Sequence, residues 1–266
     1  MRVLLVGDVN GRPGRKAVTQ IIPSLNNLYQ DIDFVIANGE NAASGFGITD
    51  KSANELFAAG VDVITMGNHT WDNRGINIIV KSENRLLRPA NYTEDVPGFG
   101  YGVYESHKLL KRIAVVSLLG RTEMRPILDC PFKTMDALIP KLRKLGAELI
   151  FVDFHAEATS EKVALGWHLD GRVTCVFGTH THIQTNDNRL LKKGTAYITD
   201  LGMTGGQDGV IGVKVESVLP RFLNGMPTRF EVCEENVMLH GTLVQIDDKT
   251  NEVLSIDLIK EKMKTE

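Results

Sequence analysis

"LLVGDVNGRPGRK", residues 4–16, runs an apolar strand into a lone aspartate and then a glycine-rich turn. Two readings compete, and they specify different folds. Either backbone N–H groups of the loop cradle a phosphate, or Asp8 is a metal ligand at a strand end. The phosphate loop fails on its own spacing. G-x-x-x-x-G-K-[ST] needs a second glycine where Arg12 or Lys16 stands, and G-x-G-x-x-G needs one at Val9. What remains is strand–aspartate–turn–helix, in which the helix N-terminus can still favour an anion.

Outward from that stretch, short apolar runs rich in Val and Ile recur between turn signals. Residues 2–7, 33–37, 61–66, 112–119, 149–154 and 173–177 read as buried strands. Helix-like spacing fills 13–29, 50–59, 73–83, 132–145 and 159–169, with Pro13 suited to a first turn and Thr49 and Thr159 as N-caps. Such alternation predicts an α/β fold, a largely parallel sheet with helices packed on it. Beyond residue 183 the texture changes. "NRLLKKGTAYITD" (188–200) predicts a hairpin, 212–223 a helix, and 229–247 with 252–260 shorter alternating strands. The Pro/Gly-rich stretch 88–102 reads as a long loop. "NYTEDVPGFGYG" (91–102) and "LGMTGGQDG" (201–209) read as mobile segments lining a site entrance. No repeat or linker divides the chain, so the expectation is one domain over 1–266 with two sheets.

The chain of 266 residues is 42% hydrophobic and 24% charged, the balance of a globular protein. A net charge of −3 argues against an extended nucleic-acid groove, which needs clustered Lys and Arg. The basic stretches 108–112 and 141–144 are short and read as solvated faces. Cys130, Cys175 and Cys233 are odd in number, far apart and without a C-x-x-C pair, so neither a disulfide framework nor a thiolate zinc site is indicated. Cys175 lies in an apolar run and reads as core. The N-terminal run is broken by Asp8 and lacks a signal-peptide pattern, and no run approaches the roughly 18 apolar residues of a membrane span. A reducing, cytoplasmic setting without membrane attachment is expected.

Open α/β sheets place their sites at the carboxyl ends of strands. Read there, the chain offers Asp8, then Glu40 and Asn41 in "NGEN", Asn68 and His69 in "GNH", His155, and finally His180 and His182 in "GTHTH". Each alone has an ordinary explanation as a cap, a turn or a satisfied core histidine. Together they are harder to dismiss, because four of the seven histidines fall at these ends and His107, His168 and His240 do not. In extended backbone the two His of "HTH" project to one side and can reach a shared cavity. Imidazole, carboxylate and amide oxygen suit Fe, Mn, Zn or Ni. Without His69 the candidates are Asp8, Glu40, Asn41, Asn68, His155, His180 and His182, too many for one open catalytic metal and suited to two that share a carboxylate.

The five segments together resemble the calcineurin-like metallophosphoesterases, whose ordered motifs are D-x-H, G-D, G-N-H-[DE], a lone His and G-H-x-H. Here they read "GDVN", "GEN", "GNHT", "FHAE" and "GTHTH". Asn10 replaces the first-motif His, Glu40 the second-motif Asp, and Thr179 separates the last glycine from His180. These departures, with "NGENAASGFGIT", "TMGNHTWD", "DFHAEATSEK" and "GTHTHIQTNDNR", are similar to the YmdB-like branch of bacterial phosphodiesterases over roughly 1–260. The resemblance implies a four-layer α/β/β/α sandwich with two mixed sheets. It also implies a dinuclear iron or manganese site and hydrolysis of 2′,3′-cyclic nucleotides. Carried over, Asp8, Glu40, Asn41 and His182 hold one metal, while Glu40, Asn68, His155 and His180 hold the second, with Glu40 bridging. On this reading Asn10 is not a ligand and Asn41 does that work, and His69 stays unliganded beside the substrate.

Two ions ~3.5–4 Å apart can clamp a small phosphodiester and turn a shared water into hydroxide for in-line attack. Asp8 and Glu40 are only two negative charges, so the loaded site stays positive and attracts the anion. His69 is the candidate general acid for the leaving ribose oxygen. Asp72, three residues on, either orients that imidazole or is a solvated carboxylate at a helix start. A phosphomonoesterase or protein phosphatase on the same site, and a regulatory metal- or nucleotide-binding protein with incidental catalysis, are the alternatives. Homo-oligomerisation is left open.

Overall fold

Strand parity sorts the apolar side chains into three separate cores. In β1 (Arg2–Val6), Val3 and Leu5 join one core while Leu4 and Val6 join another. A strand buried on both faces reads as a continuous apolar run, which is why the sequence shows runs rather than alternation. The computed structural model describes residues 1–29, 32–106 and 108–264, so His107 lies outside the described residues.

After β1 come β2 (Asp8–Val9), α1 (Gly11–Leu28), β3 (Phe34–Asn38), α2 (Asp50–Ala58), β4 (Val63–Thr65), α3 (Ile76–Ile79), β5 (Leu86–Leu87), β6 (Tyr101–Glu105) and β7 (Arg112–Leu119). The chain continues with α4 (Pro131–Lys144), β8 (Leu149–His155), α5 (Thr159–Leu169), β9 (Cys175–Thr179), β10 (Arg189–Leu190), β11 (Ala196–Ile198), β12 (Met203–Gly206), α6 (Val215–Asn224), β13 (Val237–Ile246) and β14 (Val253–Lys262). One sheet runs β2-β12-β13-β1-β3-β4-β5 with β14 on β13, and the other β10-β11-β9-β8-β7-β6. Both are mixed: β1, β3, β4 and β5 pair in parallel, as do β7, β8, β9 and β11, while β13 and β6 pair antiparallel.

The first core lies between α1–α3 and the first sheet, with Ala17, Ile21, Leu25 and Leu56 against Leu4, Val35 and Ile64. The second fills the space between the sheets, with Leu5, Ile36 and Val63 facing Val115, Phe151 and Phe177. The third joins the second sheet to α4 and α5 through Met135, Leu142, Leu165 and Leu169. The result is the α/β/β/α sandwich. Cys175 is core, as its apolar run implies.

Several local expectations hold and others change. Thr49 caps α2 through a capping box with Ser52, and the 188–200 hairpin forms as β10 paired antiparallel to β11. Thr159 is the first residue of α5 rather than its cap; Ala158 takes that position and makes no side-chain cap bond. The helix expected over 73–83 shrinks to the single turn of α3, and α6 starts at Val215, after a bridge from Val213 to Val232. That bridge replaces the strand expected before β13, and the 88–102 loop gives way to β6 at Tyr101. "LGMTGGQDG" is not a mobile entrance segment. It contains β12, fully buried and held by backbone pairing to β2 and β13.

Candidate functional site

The core between the sheets turns polar where its strands end. Inward-facing parity carries Phe34 and Ile36 to Asn38 in β3, Val63 to Thr65 in β4, Leu149 and Phe151 to Asp153 and His155 in β8, and Cys175 and Phe177 to Thr179 in β9. Asp153 is completely buried and accepts hydrogen bonds from Thr179 Oγ1 (2.7 Å), Asn38 Nδ2 (3.1 Å) and Thr65 Oγ1. Burial pushes its pKa up, against the pull of His155 and these bonds. Thr179 gives its proton to Asp153, so its oxygen receives one from His155 Nδ1 at 2.8 Å. The Nε2 of His155 is thereby left with a lone pair facing the cleft.

That lone pair has company. Glu40 Oε1, Asn68 Oδ1 and His180 Nδ1 each lie 3.0 Å from His155 Nε2. Ligand atoms of Glu40, His155 and His180 all fall within 4.8 Å of one another. Acceptors converging on one point without enough donors are the arrangement a cation satisfies. Burial works against the charge on His155, but Glu40 and Asp8 overcome it and lift its pKa to about 9. Burial would also raise Glu40, yet the charge and hydrogen bond of His155 hold it at about 2. His180, half-buried and beside that charge, falls to about 3, chiefly through its desolvation. A proton on His155 is the positive charge the chain itself can place there, and one proton cannot serve three acceptors. Gly67 makes the closeness possible, since a Cβ there would stand 2.2 Å from the His155 ring and 2.4 Å from Glu40 Oε2.

A second group adjoins the first. His182 Nδ1 donates to the Ile211 carbonyl at 2.9 Å, which turns its Nε2 lone pair toward Asn41 Oδ1 (3.3 Å) and Asp8 Oδ1 (4.0 Å). Asn41 Nδ2 donates to Gly45 O at 2.8 Å, which fixes the amide with its oxygen inward. Asp8 is fully buried, and its Oδ1 has no hydrogen-bond partner among the described residues. Burial pushes its pKa up to about 6, with His182 and His155 opposing. A buried carboxylate oxygen without a donor again fits a cation's place. Gly7 sets Asp8 there, because β1 ends and the chain steps across to pair with β12, with Gly7 N on His240 O (2.9 Å) and Asp8 N on Gly202 O (3.0 Å).

The two histidines of "GTHTH" converge on the site, but not through extended backbone. His180 has φ of 104° and His182 of 64°, a region that costs non-glycine residues energy unless the surroundings enforce it. Lys162 and Asp200 do so. Both are buried, 2.6 Å apart; Lys162 Nζ donates to Thr179 O (2.8 Å), and Asp200 Oδ2 accepts from Thr181 N (3.1 Å). His180 N adds a bond to Asp8 Oδ2 at 3.2 Å. Neither Lys162 nor Asp200 is conspicuous in the sequence, although a lysine in a helix core is itself a signal.

His69 stands at the edge, its backbone N–H on Glu40 Oε2 (3.1 Å) and its Nδ1 2.6 Å from Asp72 Oδ2. Asp72 thus meets the imidazole rather than only solvent. Asn10 lines the same cavity: its Nδ2 donates to Gly212 O (3.2 Å) and toward Met203 Sδ (3.4 Å), while its Oδ1 is buried without a hydrogen-bond partner among the described residues. Glu157, which the strand-end reading passed over, lies 3.1 Å from His180 Nε2. A cavity of about 340 Å³ opens over Glu40, Asn41, His69, His180 and His182. Neither 91–102 nor 201–209 is among the described residues that line it. No helix among the described residues is long and apolar enough to cross a membrane.

Against known proteins the similarity is end to end. A protein named 2′,3′-cyclic-nucleotide 2′-phosphodiesterase from Bacillus subtilis is 49% identical over 97% of this chain and 96% of its own length. The crystal structure of a novel phosphatase from Mycoplasma pneumoniae superposes with a TM-score of 0.90 at 37% identity, covering 98% of this chain and 93% of that one. A 5′-nucleotidase precursor from Thermus thermophilus shares the fold alone, with a TM-score of 0.56 at 12% identity over 99% of this chain and 55% of that one. The family described as YmdB-like protein matches residues 4–259, which spans both strand-end groups and both sheets, and the chain belongs to that family.

Proposed function

We propose that the chain is a metal-dependent phosphodiesterase that opens small cyclic phosphodiesters, 2′,3′-cyclic nucleotides foremost. The observation that carries this reading is the convergence of Glu40, Asn68, His155 and His180 lone pairs on one point, beside the unpartnered Asp8 oxygen. Glu40, Asn68, His155 and His180 would hold one ion and Asp8, Glu40, Asn41 and His182 the other, with Fe or Mn favoured and Zn or Ni compatible with the same donors. Bound there, such ions supply charge neutralisation for the phosphate and a water acidic enough to deprotonate near neutral pH.

The chain's own residues do the rest. His155 and His182 each spend Nδ1–H on a protein acceptor, which keeps the other ring nitrogen free as a donor of electrons. In its imidazolium form His69 keeps Nδ1–H on Asp72 and carries the transferable proton on Nε2, which is restored from solvent after each turnover. In hydrolysis the incoming water releases a proton to solvent and forms the new O–P bond, and the P–O2′ bond breaks. The departing 2′-oxygen takes a proton from His69, leaving a 3′-monophosphate. The bond broken follows the name of the Bacillus subtilis relative.

Metal analysis of the purified protein, followed on the same sample by 2′,3′-cyclic AMP and p-nitrophenyl phosphate, tests the reading. About two ions per chain and a preference for the cyclic diester are expected; turnover of the monoester alone would replace it with a phosphomonoesterase. His69→Ala should retain both ions and lose about 10²–10⁴-fold in turnover. Loss of metal in that variant would instead make His69 a ligand.

A further inference from the structure

The cavity above the strand-end cluster has two chemically different walls. One is the polar floor of carboxylate, amide and imidazole. The other contains Phe46, Ile211, Val213, Phe230 and Val232. Phe46 and Phe230 keep 47% and 36% of their surface exposed, and neither belongs to any of the three cores.

Phe46 is presented with unusual care for a residue no core requires. Gly45 and Gly47 flank it with φ of 92° and 69°, conformations that favour glycine, and a Cβ on Gly47 would stand 2.8 Å from Asn73 Cβ. The tip is tied to Asn41 in both directions, by Gly45 N to Asn41 O (3.0 Å) and Asn41 Nδ2 to Gly45 O (2.8 Å). The ring meets the His69 imidazole edge-on, centroids 5.1 Å apart at 80°. Phe230 reaches the same cavity from the 30-residue excursion between β12 and β13, Gln207 to Asn236, and its ring sits 5.6 Å from the Arg221 guanidinium carbon.

We propose that this wall is a nucleobase subsite, with Phe46 and Phe230 its specificity-determining residues. The inference rests on the phosphodiesterase reading and names what the ester carries. A phosphate held over His180 and His182 has its substituent directed along the same cavity, and about 340 Å³ suits one nucleoside rather than a long chain. Exposed aromatic faces gain from a flat heterocycle whichever base it is, so the subsite selects for a base without reading its identity. Aliphatic diesters gain little there.

The test uses two diesters that share the reacting five-membered ring, 2′,3′-cyclic AMP and glycerol 1,2-cyclic phosphate, which has no base. The wild type should favour the nucleotide by about tenfold or more in KM. Phe46→Ala and Phe230→Ala should each erase most of that preference by raising KM for the nucleotide. Equal losses on both diesters in Phe46→Ala would mean the ring acts only by placing His69; Phe230→Ala, which does not touch His69, reads the wall independently. Calorimetric binding of adenosine 3′-monophosphate against glycerol phosphate gives a second readout. The nucleotide should bind about tenfold tighter, and both variants should level the two. No preference in the wild type overturns the subsite. If neither diester is cleaved, the phosphodiesterase reading fails, and the binding comparison still decides the wall.

Discussion

The two halves of the site are built from the same residue types and supported in different ways. In the inner half, His155 ends a strand and stands on a buried layer of Asn38, Thr65, Asp153 and Thr179, each belonging to a different strand. In the outer half, His182 leans on the carbonyl of Ile211, a loop residue with φ of 45°, and Asn41 on its own turn at Gly45. His155 and its support are therefore part of the core, as is the fully buried Asp8, whereas Asn41 and His182 sit on the loops that also present Phe46 and Ile211 to the cavity. One half is positioned by folding. The other is coupled to what the cavity contains.

Breaking the inner support should have the largest effect. Asp153→Ala removes the acceptor of three buried donors, a change expected to cost about 3 kcal/mol or more in stability. The same variant should lose about 10–100-fold in affinity for the inner ion, because Thr179, which accepts His155 Nδ1–H, loses the carboxylate that orients its hydroxyl. Urea unfolding and metal titration check the two parts separately. Ordinary stability with normal inner-ion binding would show that the polar layer is not the support.

Breaking the outer support should be milder and confined. Asn10→Ala removes one of two donors to the Gly212 carbonyl, Cys233 N at 2.9 Å being the other, and so loosens the neighbouring Ile211 carbonyl that orients His182. The outer ion should bind about tenfold more weakly, the inner ion should be unaffected, and stability should change by about 1 kcal/mol. Metal titration resolves the two sites. An equal loss at both would dissolve the distinction between the halves, and no loss at either would leave Asn10 without a positioning role.

What the sequence disclosed follows from the same contrast. The strand ends that meet in the cleft are legible because each is a short polar signature closing an apolar run. The supporting layer goes unread from the sequence, although parity carries it: Phe34, Ile36 and Asn38 share a face, as do Leu149, Phe151, Asp153 and His155. The loops were not legible either. "MTGG" offers one β-branched residue, Thr204, beside two glycines, and β12 exists because its backbone pairs on both edges, a tertiary cause no local pattern announces. The positive φ of His180 and His182 comes from Lys162 and Asp200, which are distant in sequence and arrive only with α5 and the turn before β12. Thr159 was misread because a threonine at a helix start serves equally well one position inside.

The smallest expected effect lies beneath the outer half, in β13. His240 accepts Gly7 N through its carbonyl where the sheet changes partners, and its Nδ1 is buried without a hydrogen bond among the described residues. Burial, with Lys260 nearby, lowers its pKa from 6.5 to about 4. A histidine whose folded pKa is depressed leaves the unfolded chain to take up the proton first. Its contribution is therefore neutral above about pH 6.5 and destabilises the fold progressively as pH falls toward 4. The ring is partly reached by solvent, so the loss should be near 1 kcal/mol rather than the full linkage value. His240→Leu should flatten that limb of the stability–pH curve without moving the neutral plateau, as read by urea unfolding of wild type and variant at matched pH. Asp8, with its pKa near 6, titrates in the same range but is present in both proteins and cancels in the difference. If the difference between the two curves is flat from pH 6.5 to 4, the acid sensitivity belongs to the ligands above and not to the strand that carries them.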